Sequence, residues 1–122
     1  MSRVRGKNTS PERAVFNYLR RNGVSFLKHY TKVSGSPDVA FPRRKMCVFV
    51  DGDFWHGRRI KATADNLTPF WRTKILDNVR RDKRNKNRLR RSGWKVLRIW
   101  ESDLKKNPTK TFEKLHDFLK GK

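Results

Sequence analysis

The sequence has one cysteine, Cys47, which excludes an internal disulfide and fits a reducing, intracellular setting. No apolar run approaches the roughly 20 residues of a membrane-spanning helix, and the N-terminus lacks the apolar stretch of a signal peptide. Acids are scarce: 11 Asp and Glu stand against 32 Lys and Arg, so the net charge is +21. We therefore expect a cytoplasmic protein, nucleoid-associated if bacterial or phage, with no membrane partner and with nucleic acid as its partner.

Aromatic residues are too frequent for a solvated tail, because the chain contains four Trp and eight Phe. Its 122 residues fit a single domain spanning residues 1–122. Residues 1–8 are polar and basic without periodicity, so we expect them to form a flexible arm. The composition thus predicts a folded basic protein with one small core.

Hydrophobic periodicity predicts a helix from Ser10 that ends at Asn22-Gly23, and a long helix from Thr68-Pro69 to about Ser92. Proline and glycine signals separate the predicted strands 25–30, 38–41, 46–50 and 94–100, and Pro108 opens a last helix. Residues 46–50 form a continuous apolar run, which is typical of a strand buried on both faces. This order predicts an α/β fold in which helices flank a mixed sheet.

Two acids lie where they could carry chemistry. Asp38 starts one predicted strand and Asp51 ends the next, so a hairpin would bring the two carboxylates together. Paired carboxylates bind hard divalent cations such as Mg²⁺ or Mn²⁺, which polarise phosphates and activate water. His56 follows five residues later and could transfer protons. The alternative is that Asp38 caps a turn and that Asp51 belongs to an Asp-Gly turn.

Other polar residues also have ordinary interpretations. Glu12 could serve only as a helix-dipole acid, and Asp82 could form an ion pair with Lys86 on the same helix. No acidic or aromatic motif surrounds His29 or His116, so both are predicted to be structural. The aromatic residues Phe54, Trp55 and Trp71 could stack on DNA bases or pack in the core. Phe70 is predicted to fill the buried position at the start of the long helix in place of Trp71.

Taken together, these residues resemble the very-short-patch-repair (Vsr) family of mismatch endonucleases. The resemblance covers nearly the whole chain. It includes the Gly-Ser-Pro-Asp segment that ends at Asp38 and the Phe-Trp-His segment that ends at His56. The matching blocks are residues 1–12, 35–38, 48–57, 70–75, 78–82 and 93–101.

The resemblance implies a restriction-endonuclease-like core and Mg²⁺-dependent hydrolysis of phosphodiester bonds in double-stranded DNA. It implies catalytic roles for Glu12, Asp38, His56 and Asp82, and a DNA wedge of Phe54, Trp55 and Trp71. Our predicted metal-binding residues are Asp38, Val50 and Asp51. Our predicted DNA-binding residues are Arg3, Arg5, Lys7, Phe54, Trp55, Trp71, Lys74 and Arg81.

The sequence departs from the family pattern in two ways. Asp51 replaces an active-site histidine, and the family's four zinc ligands correspond to Asp53, Arg58, Ile60 and Ser102, which predicts no structural zinc. A branch of homing endonucleases with a Vsr-like core uses a Glu-Asp-x-His-Asp set, which Glu12, Asp38, His56 and Asp82 also match. Mismatch repair and homing therefore both stay open.

A non-catalytic basic nucleic-acid-binding module is the second class of function. Acids clustered at a phosphate site would repel phosphate unless a metal intervened. The cluster of Asp38, Asp51, Asp53 and His56 therefore favours the endonuclease.

Overall fold

The computed structural model describes residues 10–52 and 68–120. Within these ranges four strands form one sheet in the order β1 (Leu27–Lys28), β2 (Val39–Phe41), β3 (Met46–Asp51) and β4 (Lys95–Trp100). The two strand pairs β1/β2 and β2/β3 are antiparallel, whereas β3 and β4 are parallel. The sheet is therefore mixed and is flanked by helices, which confirms the predicted α/β class.

The helices begin where local sequence favours them. In α2 the Thr68 side chain accepts the Trp71 backbone N–H, and Pro69 occupies the first turn, where it costs no intrahelical hydrogen bond. Of the helices that the structure describes, none combines the length and apolarity needed to cross a membrane. The helices are α1 (Ser10–Arg21), α2 (Pro69–Arg91), α3 (Glu101–Lys106) and α4 (Pro108–Leu119).

Strand β3 is the centre of the core, and all six of its residues are buried. Alternate side chains of a strand point to opposite faces. Met46, Val48 and Val50 pack in a cluster with residues of α1 and α4. Cys47 and Phe49 pack on the other face against Leu89 of α2. The prediction of a strand buried on both faces is confirmed, and burial raises the pKa of the Cys47 thiol to about 12.

The structure corrects two predicted boundaries and adds one element. The predicted strand 25–30 is reduced to Leu27–Lys28, because the backbone of His29 turns into the left-handed region with φ 47°. The basic sequence Arg43-Arg44-Lys45 also predicts an exposed hairpin tip between β2 and β3, and the structure places a 3-10 turn there, Pro42–Arg44. Helix α3 was not predicted from the sequence, since it has only six residues and its N-cap, Trp100, makes no side-chain capping bond.

Candidate active site

Three side chains from separate segments converge beside the sheet: Glu12 of α1, His29 after β1 and Asp38 before β2. One possible ligand atom from each lies within 4.8 Å of the others. His29 Nε2 is 3.0 Å from Glu12 Oε1, and these side chains are 16% and 7% exposed. Glu12 belongs to the buried side of α1 with Val15, Phe16 and Leu19, so the amphipathic helix brings its acid toward the sheet.

The β1/β2 hairpin places His29 in this cluster. Lys28 pairs with Val39, so the next step of the antiparallel register puts His29 opposite Asp38. The His29 backbone N–H donates to the Asp38 carbonyl oxygen at 2.9 Å. The imidazole ring meets Phe16 edge-on, with the ring centroids 5.8 Å apart. Both backbone and ring therefore fix the direction of Nε2.

Asp38 is held in an environment that disfavours its charge. Burial, with smaller contributions from a hydrogen bond and the negative charge of Glu12 and from the charge of Asp51, raises the pKa of its carboxyl group to about 8. The opposing influence is the Val50 backbone N–H, which donates to Asp38 Oδ2 at 2.7 Å. Acids that crowd one another in this way are stabilised as carboxylates when a cation binds between them.

Asp51 belongs to a second, neighbouring cluster under α2. Arg98 of β4 donates through Nε to Asp51 Oδ2 at 2.5 Å and through Nη2 to Asp82 Oδ2 at 2.8 Å. Lys86 Nζ lies 3.6 Å from Asp51 Oδ2, and its side chain is only 7% exposed. Two acids and two cations thus share one partly buried network, in which Arg98 joins β3, β4 and α2.

The two cations also contact aromatic rings. Lys86 Nζ is 4.1 Å from the centroid of the Phe49 ring, and the Arg98 guanidinium is 4.2 Å from that of Trp100. Burial lowers the pKa of Lys86, while the charge of Asp51 opposes that shift. Ring faces attract cations where water is excluded, so these contacts keep both cations beside the acids.

The sequence-predicted site residues fall into three groups within the described ranges and a fourth outside them. Glu12 and Asp38 lie together. Val50, the other predicted metal-binding residue at this place, contacts them through the hydrogen bond from its backbone N–H to Asp38. Asp51 and Asp82 meet through Arg98, and the charge of Asp51 also acts on Asp38. Lys74 and Arg81 are exposed on α2. The predicted residues that lie outside the described ranges are Arg3, Arg5, Lys7, Phe54, Trp55 and His56.

The first turn of α2 exposes two aromatic side chains. Trp71 is 38% exposed, as a DNA-contacting residue requires, but Phe70 is 62% exposed. The prediction that Phe70 fills the buried position was therefore wrong. Ile75, 1% exposed, is the buried residue of this part of the helix. The two aromatic rings meet edge-on with centroids 5.3 Å apart and form one apolar projection.

The sequence interpretation missed His29 and Arg98. His29 was predicted to be structural, yet it contacts Glu12 17 positions away in the chain. The available signal was the hairpin itself, since strands at 25–30 and 38–41 with a turn between them place residue 29 near residue 38. For Asp82 the sequence offered Lys86 as an ion-pair partner, whereas its carboxylate accepts a hydrogen bond from Arg98.

The first cluster has the chemistry of a divalent-cation site. It offers carboxylate oxygens from Glu12 and Asp38 and an imidazole nitrogen from His29. Negative charge crowds Asp38, and a bound cation would offset it. The residues present therefore fit a metal ion of the kind that hydrolytic nucleases use.

Comparison with known proteins identifies relatives that act on DNA. A family profile described as DNA mismatch endonuclease Vsr matches residues 1–62. The chain is 38% identical to a type II nicking enzyme of Neisseria meningitidis serogroup C, across 100% of this chain and 84% of that protein. It is 40% identical to a type II nicking enzyme of Xanthomonas oryzae pv. oryzae, across 85% of this chain and 78% of that one.

A third relative is the DNA mismatch endonuclease Vsr of Escherichia coli strain K12. The identity is 32%, and the aligned part covers 98% of this chain and 78% of the relative. The aligned part therefore spans nearly the whole of this chain.

Proposed function

Since this chain belongs to the Vsr family of DNA endonucleases, we propose that it nicks double-stranded DNA with the help of a divalent metal ion, Mg²⁺ or Mn²⁺. The observation that carries the proposal is the convergence of Glu12, His29 and Asp38. Burial and neighbouring acids raise the pKa of Asp38, an unfavourable arrangement that a cation would relieve. Relatives named as nicking enzymes support cleavage of one strand.

Glu12 and Asp38 would hold the metal through carboxylate oxygens, and Asp38 is oriented for this by the Val50 N–H. Val50 and Asp51 stay predicted further metal-binding residues. When bound, the metal polarises the scissile phosphate and favours ionisation of a water molecule. Arg98 bridges Asp51 and Asp82 and fixes their carboxylates beside this site.

His56 is the proposed proton-transfer residue, which takes a proton from the attacking water or gives one to the leaving oxygen. Water attacks phosphorus, the bond to the leaving oxygen breaks, and the proton ends on that oxygen. Asp82 is proposed to support the site through its bond to Arg98.

Basic and aromatic side chains would bind the DNA. Lys74 and Arg81 are exposed on α2 and can neutralise phosphates, and Arg3, Arg5 and Lys7 are proposed to add such contacts from the N-terminal arm. Trp71 projects from the first turn of α2 and, with Phe54 and Trp55, is proposed to enter the base stack. Such a wedge costs a few kcal/mol of unstacking, which extra contacts to the bent DNA offset.

The proposal is tested by nicking of supercoiled plasmid in Mg²⁺ and in EDTA. The wild-type protein should convert the plasmid to open circles only with Mg²⁺. Asp38→Asn should abolish nicking while retaining DNA binding, because it keeps the size of the side chain and removes its charge. The matched control is Asp117→Asn on α4, an exposed acid outside both clusters.

Nicking by Asp38→Asn at the wild-type rate, or in EDTA, would contradict the proposed metal mechanism. DNA binding without nicking under any metal condition would instead support the non-catalytic module. Paired oligonucleotide duplexes that differ by one T:G mismatch separate the two cleavage roles. Preference for the mismatched duplex indicates repair, and cleavage of a long, fully paired target indicates homing.

A further inference from the structure

His29 distinguishes the cluster of Glu12, His29 and Asp38 from a simple pair of carboxylates. Its backbone adopts φ 47°, a left-handed conformation that is unfavourable for a non-glycine residue. The hairpin bond to Asp38 and the contact with Phe16 maintain this conformation. The result is that Nε2 points at Glu12 inside the cluster and not toward solvent.

The distance between His29 and Glu12 matches that of two adjacent ligands in one coordination sphere, and the three candidate atoms lie close to that size. Around a six-coordinate ion with metal–ligand bonds of about 2.1 Å, adjacent ligand atoms lie about 3.0 Å apart and opposite ones about 4.2 Å apart. His29 Nε2 and Glu12 Oε1 are 3.0 Å apart, and all three candidate atoms lie within 4.8 Å of one another. A metal ion could therefore replace the His29–Glu12 hydrogen bond with little movement of either side chain.

We propose that His29 is a nitrogen ligand of the active-site metal. The site therefore binds ions that favour imidazole ligands, such as Co²⁺ and Ni²⁺, more tightly than Mg²⁺. This inference rests on the proposed metal-dependent function and assigns its ligand set. Imidazole is a favourable ligand for later first-row ions, whereas Mg²⁺ prefers oxygen and retains much of its water. A site with one nitrogen and two carboxylates therefore selects against Mg²⁺ relative to a site made only of oxygen.

Calorimetric titration of the metal-free protein with Mg²⁺ and with Co²⁺ tests the assignment without reference to activity. His29→Gln places an amide near the position of Nε2, so it can still donate to Glu12 but offers no imidazole. We expect it to weaken Co²⁺ binding at least tenfold and Mg²⁺ binding less than about threefold. His116→Gln, at an exposed histidine on α4, should change neither affinity.

A second measurement does not depend on the folding of His29→Gln. The chain has three histidines, so the double variant His56→Gln/His116→Gln retains only His29. Pulsed electron paramagnetic resonance of Mn²⁺ bound to this tag-free variant should show a ¹⁴N coupling. Because His29 is then the only imidazole present, the coupling would identify its source.

Any of the following results would overturn the proposal that His29 binds the metal. Equal weakening of Mg²⁺ and Co²⁺ by His29→Gln, or no ¹⁴N coupling in the double variant, would mean that His29 only positions Glu12, and the proposed nicking activity would stand. Failure of the wild-type protein to bind any of these metals would overturn both this inference and the metal-dependent function. Retention of binding by Asp38→Asn would place the metal elsewhere.

Discussion

Asp38 Oδ2 accepts a hydrogen bond from the backbone N–H of Val50 at 2.7 Å. This bond connects the residue before β2 to the end of β3, two segments that meet in the antiparallel sheet. It gives one carboxylate oxygen a fixed direction, while the same carboxyl group is hydrogen-bonded with Glu12. The sheet therefore determines how Asp38 faces the cluster, and α1 supplies the acid that it meets.

Asp38→Asn should stabilise the metal-free protein at alkaline pH. Burial, and after it Glu12 and Asp51, raise the pKa of Asp38 from 3.8 to about 8. The folded protein then binds a proton here more tightly than the unfolded chain, so the stability that Asp38 contributes is fully present below pH 3.8 and is lost as the pH rises through about 8. Asparagine removes this dependence. The gain in the free energy of unfolding should therefore be larger at pH 8 than at pH 5.

Urea unfolding in EDTA at the two pH values measures this effect. Asp117→Asn is the control and should show no such difference, since Asp117 is exposed. Saturating divalent metal should stabilise the wild-type protein at pH 8 and reduce the advantage of Asp38→Asn. If Asp38→Asn raises the free energy of unfolding equally at pH 5 and pH 8, the effect does not come from the raised pKa of Asp38.

Arg98→Met should destabilise the fold strongly. The substitution keeps a long side chain but removes the bridge between Asp51 and Asp82, whose side chains are 6% and 18% exposed. Loss of one partner from a buried ionic network typically costs about 3–5 kcal/mol. The control, Arg80→Met, removes a solvent-exposed pair with Asp77 and should cost less than about 1 kcal/mol. Urea unfolding of both variants should show this difference, and equal losses would argue against a structural network at Arg98.

Trp71→Ala should separate DNA binding from stability. Trp71 is 38% exposed, so its loss should change the free energy of unfolding by less than about 1 kcal/mol. DNA affinity should fall at least tenfold if the ring enters the base stack, about 1.4 kcal/mol. Trp94→Ala is the matched control, because Trp94 packs against the cluster of Cys47, Phe49 and Leu89.

The control should lose more stability, roughly 1–3 kcal/mol, because Trp94 is partly buried against this cluster, while its folded fraction binds DNA normally. Fluorescence anisotropy with a labelled duplex and thermal unfolding provide the two readouts. Wild-type affinity in Trp71→Ala would remove this residue from the DNA interface.

Gly35→Ala should be more harmful than Gly23→Ala, although both glycines have positive φ, 81° and 69°. A Cβ at Gly35 would lie 3.1 Å from Asn85 Cβ and 3.3 Å from the Phe49 ring, whereas a Cβ at Gly23 would meet nothing within 4 Å. The left-handed backbone costs both variants roughly 1–2 kcal/mol. Crowding should add about 1–3 kcal/mol at Gly35 alone.

Urea unfolding of the two variants, together with plasmid nicking, tests this expectation. Gly35 lies three residues before Asp38 in the chain, so displacement of this turn should also reduce nicking. Similar stability of the two variants would show that α2 and β3 can accommodate the extra methyl group.

DNA affinity should fall steeply with salt, because the net charge is +21. Each neutralised phosphate contributes a slope of about −0.9 to the logarithm of the binding constant against the logarithm of salt concentration. Lys74→Gln should reduce the magnitude of the slope by about one such contact. Lys110→Gln, at an exposed lysine on α4, is the control and should leave it unchanged. A wild-type slope near zero would contradict a charge-driven DNA partner.

Local signals in the sequence were sufficient for most elements of the fold. Thr68 and Pro69 specify the start of α2 because a capping hydroxyl and a proline act within one turn. The apolar run of β3 predicted burial on both faces, since only an interior strand can place every side chain away from water. The short helix α3 escaped prediction because it depends on packing of Leu104 more than on local capping.

The sequence by itself determined the chemical inventory of this protein: a large positive charge, a few acids near strand ends, and aromatic residues beside them. Only the tertiary structure decided which of these side chains meet. Glu12 reaches His29 across 17 positions, and Asp51 reaches Arg98 across 47. Such pairs depend on strand register and helix packing, which no single segment specifies. For that reason Asp38 met Glu12 and His29, while Asp51 joined Arg98 and Lys86 under α2.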